Sequence, residues 1–263
     1  MNTYSTISVQ LNEPVSVITF NRPEVHNAFN DFVIEEIDHA MDEIEKKPQI
    51  RVVFINANGQ HFSAGADLKW MQHMINYSFP QNKKDALKLA YLLQRMAQFP
   101  KPIIALVHGR AMGGGCGIIA CCDIVLADEE ARFAFTETKL GLIPATISPY
   151  VLRRIGYPAA LRYFITAELF DATEAKKINL VDVITTRDEL VPRAQELAKL
   201  ICQNGPSAIM QAKKLLNELQ PVDDQVIDET ATRLAQIRIS NEAQEGLTAF
   251  LNKRKPNWCK DLE

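Results

Sequence analysis

The sequence predicts an α/β protein with a mixed core of roughly the first 190 residues and a helical C-terminal region. Three observations carry this expectation. Short apolar runs of buried-strand length (51–56, 102–107, 124–127) alternate with stretches of helical periodicity. From Ser148 onward the pattern turns almost entirely helical. With 263 residues, 47% apolar and 23% charged, the chain can bury a sizeable core without disulfides or metal. Composition places the boundaries at 1-190 for the core and 191-263 for the helical region.

The elements follow in order. Residues 6–11 and 15–20 alternate in polarity around Asn12-Glu13-Pro14, which predicts a hairpin. Asn21-Arg22-Pro23 ends it. Asn30 can cap a helix whose Val33, Ile34, Ile37, Met41 and Ile44 share one stripe. Residues 51–56 read as a buried strand, followed by a polar loop to Gly65. Residues 67–77 and 84–98 read as helices, with Phe79-Pro80 as a break between them. After the strand at 102–107, a Gly-rich turn opens a short helix over 113–121. Short strands are expected at 124–127, 132–135 and 181–184. Gly156 and Pro158 punctuate the helical stretch after Ser148. Helices at 189–202, 206–219, 223–240 and 242–252 close the pattern.

Composition also excludes function classes. The net charge is −3 and the longest basic run is Lys253-Arg254-Lys255, so the concentrated basic stripe of a nucleic-acid binder is missing. The five cysteines (Cys116, Cys121, Cys122, Cys202, Cys259) are odd in number and form no Cys-x-x-Cys pair. They read as small buried apolar side chains in a reducing cytoplasm, not as a disulfide framework or zinc site. The first ten residues have neither a basic nor an apolar signal-peptide region. The apolar stretch 116–127 is interrupted by Asp123 and is too short to cross a bilayer. The histidines His26, His39, His61, His73 and His108 show no metal-site spacing, and no metal is expected.

Two loops carry candidate chemistry. Gly113-Gly114-Gly115-Cys116-Gly117 follows a buried strand and opens a helix. Glycine permits positive φ and close approach of a ligand, and the N–H groups at a helix start are unpaired. That combination suits an anion or a developing oxyanion. Rival motifs fail. Ile118 stands where a dinucleotide fingerprint needs its third Gly. Gly115-Cys116 stand where a phosphate loop needs Lys and Ser/Thr, and no G-x-S-x-G elbow exists. The second loop, His61-Phe62-Ser63-Ala64-Gly65-Ala66-Asp67-Leu68-Lys69, also exposes backbone near a helix start. Two such loops can aim two N–H groups at one thioester carbonyl oxygen, each donor being worth about 2.7–4 kcal/mol of barrier. Glu137 follows Phe133-Ala134-Phe135-Thr136, and a carboxyl flanked by aromatics is partly desolvated and tuned upward as an acid/base.

These pieces together resemble the crotonase (enoyl-CoA hydratase/isomerase) family. The matching stretches are Asn21-Arg22-Pro23 with Asn27-Ala28, Phe62 to Leu68, Gly109 with Gly113-Gly114-Gly115, Cys122-Asp123, and Glu137 with Gly141-Leu142-Ile143-Pro144. The resemblance implies a spiral of ββα units with a C-terminal helical region that trimerises, in a homotrimer or dimer of trimers. It implies an acyl-CoA thioester as substrate, no separate cofactor, and no nucleic-acid or membrane partner. It assigns the oxyanion hole to the N–H groups of Ala66 and Gly114 and the acid/base to Glu137. Ala64, Asp67, Leu68, Gly113, Gly117 and Pro144 line the substrate on this reading. Lys69 and Lys253-Arg254-Lys255 are weaker candidates for the CoA phosphates, and Trp70, Met71, Met74, Tyr91 and Leu92 for the acyl pocket.

The family's hydratases commonly use two glutamates, and Gly117 stands where the second would be. The stretch 139–150 and that glycine look like the bacterial methylglutaconyl-CoA hydratases of leucine degradation. The expectation is therefore a lyase that hydrates a short or branched 2-enoyl-CoA. A Δ3-Δ2-enoyl-CoA isomerase using Glu137 alone is the alternative, followed by decarboxylation or hydrolysis of an acyl-CoA, or by a non-catalytic acyl-CoA- or RNA-binding protein. A substrate with a second carboxylate needs a cation at its far end, and Arg153 and Arg154 are the nearby candidates.

Overall fold

A computed structural model describes residues 4–259. Its strands are β1 (Ile7–Leu11), β2 (Val15–Phe20), β3 (Val52–Ala57), β4 (Ile103–Val107), β5 (Arg110–Met112), β6 (Ile124–Asp128), β7 (Arg132–Ala134), β8 (Phe170–Asp171) and β9 (Val183–Thr185). Its α-helices are α1 (Asp31–Glu45), α2 (Leu68–Met74), α3 (Phe79–Gln98), α4 (Gly114–Cys121), α5 (Ser148–Thr166), α6 (Ala172–Lys177), α7 (Leu190–Cys202), α8 (Pro206–Leu219), α9 (Asp224–Arg238) and α10 (Asn241–Leu251). Among the described residues no helix is long and apolar enough to cross a membrane.

One sheet has the order β1-β2-β3-β4-β6-β9, antiparallel in the β1–β2 hairpin and parallel elsewhere. A smaller sheet, β5-β7-β8, begins three residues after β4 and carries the site loops. Every residue of β4 is buried, because the strand is paired on both edges and covered on both faces. Ile103, Ala105 and Val107 face the main core, whereas Ile104 and Leu106 join Leu190, Ala194 and Ala198 of α7. This is the period-2 alternation of a strand read out on two apolar faces.

Helix α1 starts as its sequence dictates: the Asn30 side chain accepts from the Val33 N–H at 3.0 Å, and Val33, Ile34, Ile37, Met41 and Ile44 are all buried. Phe79-Pro80 does not break a helix but opens one. Ser78 caps α3, the Gln81 side chain accepts from the Ser78 N–H at 2.8 Å, and Pro80 sits in the first turn where its missing N–H is no loss. Helix α2 is shorter than its apolar pattern, ending at Met74. Strands β5 and β8 and helix α6 are too short to leave a periodic signal.

The C-terminal helices pack on the core. Helix α9 lies along α3. Helix α10 lies on the 3-10 turn Glu137–Leu140 so closely that a Cβ on Gly246 would stand 2.3 Å from the Leu140 carbonyl oxygen. On the same contact, Gly141 has φ +66°, and a Cβ there would stand 2.7 Å from the Glu242 carbonyl oxygen.

Candidate active site

The loop before α2 is held in a backbone frame. The Phe29 N–H donates to Gly65 O at 2.7 Å and the Asp67 N–H to Phe29 O at 2.8 Å, which brackets Ala66. The Ala64 N–H donates to His26 O at 2.9 Å. On its other side, the Ser63 N–H donates to Arg110 O at 2.9 Å and the Met112 N–H to Ser63 O at 3.0 Å, zipping this loop to β5 and so to the Gly-rich turn. Gly115 packs on Ser63 so tightly that a Cβ would meet the Ser63 Cβ at 2.9 Å. The two loops are therefore one unit.

Arg22 and Asn27 lock that unit from below. Arg22 donates to Ala28 O and to Asp67 Oδ2, both at 2.7 Å, and the Asn27 amide donates to the carbonyls of Asn58 and His61 at 2.8 Å each. Asp67 also caps α2, accepting from the Lys69 and Trp70 N–H groups. Burial alone raises the Asp67 pKa, but the Arg22 guanidinium and those two N–H groups outweigh it, and the net shift is downward. These positioning roles have no local sequence signal, because the partners lie far apart along the chain.

Within this frame the N–H groups of Ala66 and Gly114 have no acceptor among the described residues. The neighbouring Gly113 N–H is taken, donating to Ala134 O at 2.9 Å. Gly114 is the first residue of α4, where N–H groups are unpaired and carry positive partial charge. Gly113 caps α4 at φ +49°, and its missing side chain makes room for Glu137, whose Oε1 would stand 3.1 Å from a Cβ there.

Glu137 begins the 3-10 turn after β7, which is anchored by stacking of Phe133 on Phe170 and an edge-on contact of Phe135 with Phe164. The residue as a whole keeps partial exposure, but Oε2 is buried and has no hydrogen-bond partner. The surroundings of the carboxyl group itself govern its ionisation. Burial raises its pKa to about 7, against a smaller lowering by its own backbone N–H. Glu137 is thus poised to both take and give a proton at neutral pH.

Ala64, Ala66, Gly113, Gly114, Glu137 and Pro144 all border one cavity, and Trp70, Met71 and Met74 contribute to its wall. Three other expected substrate contacts lie outside it. Asp67 is engaged with Arg22, and Leu68 is exposed. Gly117 faces Ile147: a Cβ at 117 would stand 2.3 Å from the Ile147 Cγ2, and it is Ile147 that borders the cavity. The backbone at 117 therefore has no room for the family's second glutamate. Gly117→Ala is expected to lower stability by about 1–3 kcal/mol through overpacking, and by less in an Ile147→Ala background, as measured by urea denaturation.

Of the remaining candidates, Tyr91 is exposed and Leu92 belongs to the main core. Lys69 is exposed, and Arg254 is held by Glu245 at 2.7 Å and 2.9 Å. Arg153 and Arg154 are outside the cavity: Arg153 donates to Asn217, and Arg154 to Cys122 O, Leu180 O and Asp182. The cation that does border it is Arg238 of α9. Its signal was present: positions 227, 231, 234 and 238 share one helical stripe, and the first three are Ile, Ala and Leu. His61 and His108 act as loop hydrogen-bonders, to the Arg110 N–H and Gly59 O. No cluster fit for a metal ion occurs among the described residues.

The chain is similar over nearly its whole length to known proteins. The family model described as enoyl-CoA hydratase/isomerase matches residues 10–261. A crystal structure of an enoyl-CoA hydratase from Shewanella pealeana is 42% identical, with TM-score 0.81, over 97% of this chain and 96% of that one. A short-chain-enoyl-CoA hydratase from Clostridium acetobutylicum is 32% identical over 92% of both chains. A crotonyl-CoA hydratase from Syntrophomonas wolfei is 31% identical over 97% of this chain and 98% of its own. The fold is that of the crotonases, and the chain belongs to the enoyl-CoA hydratase/isomerase family.

Proposed function

We propose that this protein is an enoyl-CoA hydratase, a hydro-lyase acting on a short or branched 2-enoyl-CoA. The observation that carries the reading is a buried carboxyl group with a pKa of about 7, bordering the same cavity as two unpaired backbone N–H groups. The thioester oxygen accepts from the N–H groups of Ala66 and Gly114, which stabilise the enolate formed when oxygen adds to C3. Ionised Glu137 takes one proton from water as that oxygen bonds to C3. The protonated carboxyl then delivers the proton to C2, which consumes the enolate and regenerates the base. Coenzyme A enters and leaves as part of the substrate, and no further cofactor takes part.

The sequence likeness over 139–150 extends the reading to 3-methylglutaconyl-CoA and a place in leucine degradation, in the cytoplasm. Assembly as a homotrimer or dimer of trimers through the C-terminal helical region 191-263 is part of the same reading. Exposed apolar side chains on α5 (Leu152, Tyr157, Leu161, Ile165) and α8 (Leu215, Leu216, Leu219) support an assembly. Mass photometry gives the subunit number.

The packing of Ile147 against Gly117 favours a second reading. With one carboxylate, Glu137 can shuttle a proton between C4 and C2, which is isomerisation of a 3-enoyl to a 2-enoyl thioester. The deciding experiment offers 3-methylglutaconyl-CoA, crotonyl-CoA and a 3-enoyl-CoA to the purified protein and follows product mass. Gain of one water supports the hydratase. Conversion of the 3-enoyl thioester at constant mass supports the isomerase. No turnover of any thioester overturns both.

A further inference from the structure

Arg238 is the one arginine or lysine bordering the cavity among the described residues. Its side chain is 9% exposed, as is that of Asp85 on α3, to which its Nη1 donates at 2.7 Å. Asp85 is itself held by the Trp70 indole N–H at 3.1 Å. The guanidinium is thus tied to groups on two other helices. Only one of its edges is engaged. Nε is buried with no hydrogen-bond partner, and no bond to Nη2 occurs among the described residues. A buried donor left without an acceptor is costly, and more so on a charged group. Nε is closed off from any ligand, whereas Nη2 is neither bonded nor among the buried unpartnered atoms, which leaves it as the donor open to a carboxylate through a charge-assisted N–H···O bond.

We propose that Arg238 is a specificity-determining residue that binds a carboxylate at the far end of the acyl chain. The ligand class is an acyl-CoA of dicarboxylic type, its thioester between Ala66 and Gly114 and its second carboxylate accepting from Nη2. Asp85 and Trp70 act through Arg238, as positioning residues. Apart from Thr136, Glu137 and Thr146, the rest of the wall is apolar or glycine and includes Leu89, Ile143 and Leu234. An acyl chain ending in a methyl group leaves Nη2 without an acceptor, so the site discriminates against it.

This inference rests on the acyl-CoA reading of the site but not on turnover, so binding and catalysis are measured separately. Calorimetric Kd values are compared for glutaryl-CoA and pentanoyl-CoA, which differ in a terminal carboxylate against a methyl group. Hydration kcat/KM is compared for the matching pair glutaconyl-CoA and 2-pentenoyl-CoA. The wild type is expected to favour the carboxylate member of each pair by about 10- to 100-fold, the range of one charge-assisted hydrogen-bonded contact.

The variant is Arg238→Met combined with Asp85→Asn, which leaves no buried carboxylate unpaired and keeps an acceptor for Trp70. It is expected to lose the preference in both ratios, and Arg238→Lys to keep part of it. A wild type with no preference, or a double variant that keeps it, overturns the proposal. Preference for glutaryl-CoA without hydration of either enoyl-CoA upholds it and overturns the hydratase reading instead.

Discussion

Replacing Glu137 with glutamine is expected to lower the hydration rate by about 10²–10⁴-fold, the usual weight of a positioned general acid/base, while making the folded protein more stable above pH 7. Both effects come from one cause. The carboxyl group sits where water does not reach Oε2, and burial raises its pKa from 4.5 to about 7. Below pH 4.5 it is protonated whether the chain is folded or unfolded. Between 4.5 and about 7 the unfolded chain releases the proton and the native state keeps it, so stability falls as pH rises through that window. At 1.36 kcal/mol per pKa unit, the loss reaches at most about 3 kcal/mol. Glutamine is neutral throughout and avoids it. The Tm of the variant relative to the wild type should therefore be larger at pH 8 than at pH 5. An equal difference at both pH values would show that Glu137 is not desolvated as described. The wild-type kcat/KM for hydration should rise with pH through about 7, because the ionised carboxylate is the form that accepts a proton from water.

The second large effect is expected at Gly114. Gly114→Pro replaces the N–H hydrogen with the ring Cδ, while a Cβ at 114 meets nothing nearer than the Phe29 Cδ2 at 3.9 Å. Proline is tolerated at the first position of a helix. Loss of one oxyanion donor costs about 10²–10³ in kcat. Gly114→Ala keeps the N–H and is the control, expected to stay within a few-fold of wild type on the strength of that 3.9 Å clearance. Equal losses in both variants would mean that space, not the N–H, matters at this position. Gly113 cannot serve in the same comparison. Its φ of +49° and the Glu137 Oε1 at 3.1 Å make any side chain there a double disturbance.

How much of this was legible in the chain follows from how local each signal is. The hairpin, the buried strand at β4 and the Asn30 cap depend on neighbours a few residues away, and periodicity shows them. Pro80 reads as a break in the sequence, but the same residue that breaks a helix interior also starts one. Only Ser78 and Gln81 together decide between the two. Strands β5 and β8 consist of three and two residues and are defined by their pairing with β7, a partner some twenty to forty residues away. Glu137 and the two loops were legible as pieces, from their glycines and flanking aromatics. Their union depends on bonds such as Arg22 to Asp67 and Asn27 to His61, which no window on the sequence spans. For a far-end carboxylate the sequence offers Arg153 and Arg154, shortly after the Gly141-Leu142-Ile143-Pro144 segment. The arginine that borders the cavity, Arg238, lies instead on the apolar stripe of a helix some eighty residues further on, where an arginine is out of pattern unless something pairs with it.

The contact of α10 with the Glu137 turn has a consequence for how activity arises during synthesis. Leu140 is pressed against Gly246 with no space for even a methyl group, so the turn that carries Glu137 is held by a helix made about a hundred residues after it. A chain made only through residue 240 already holds the Gly-rich turn and the carboxyl group, but not the helix that presses on the Glu137 turn. Shortening the chain to that point is therefore expected to disturb the site without touching Ala66, Gly114 or Glu137.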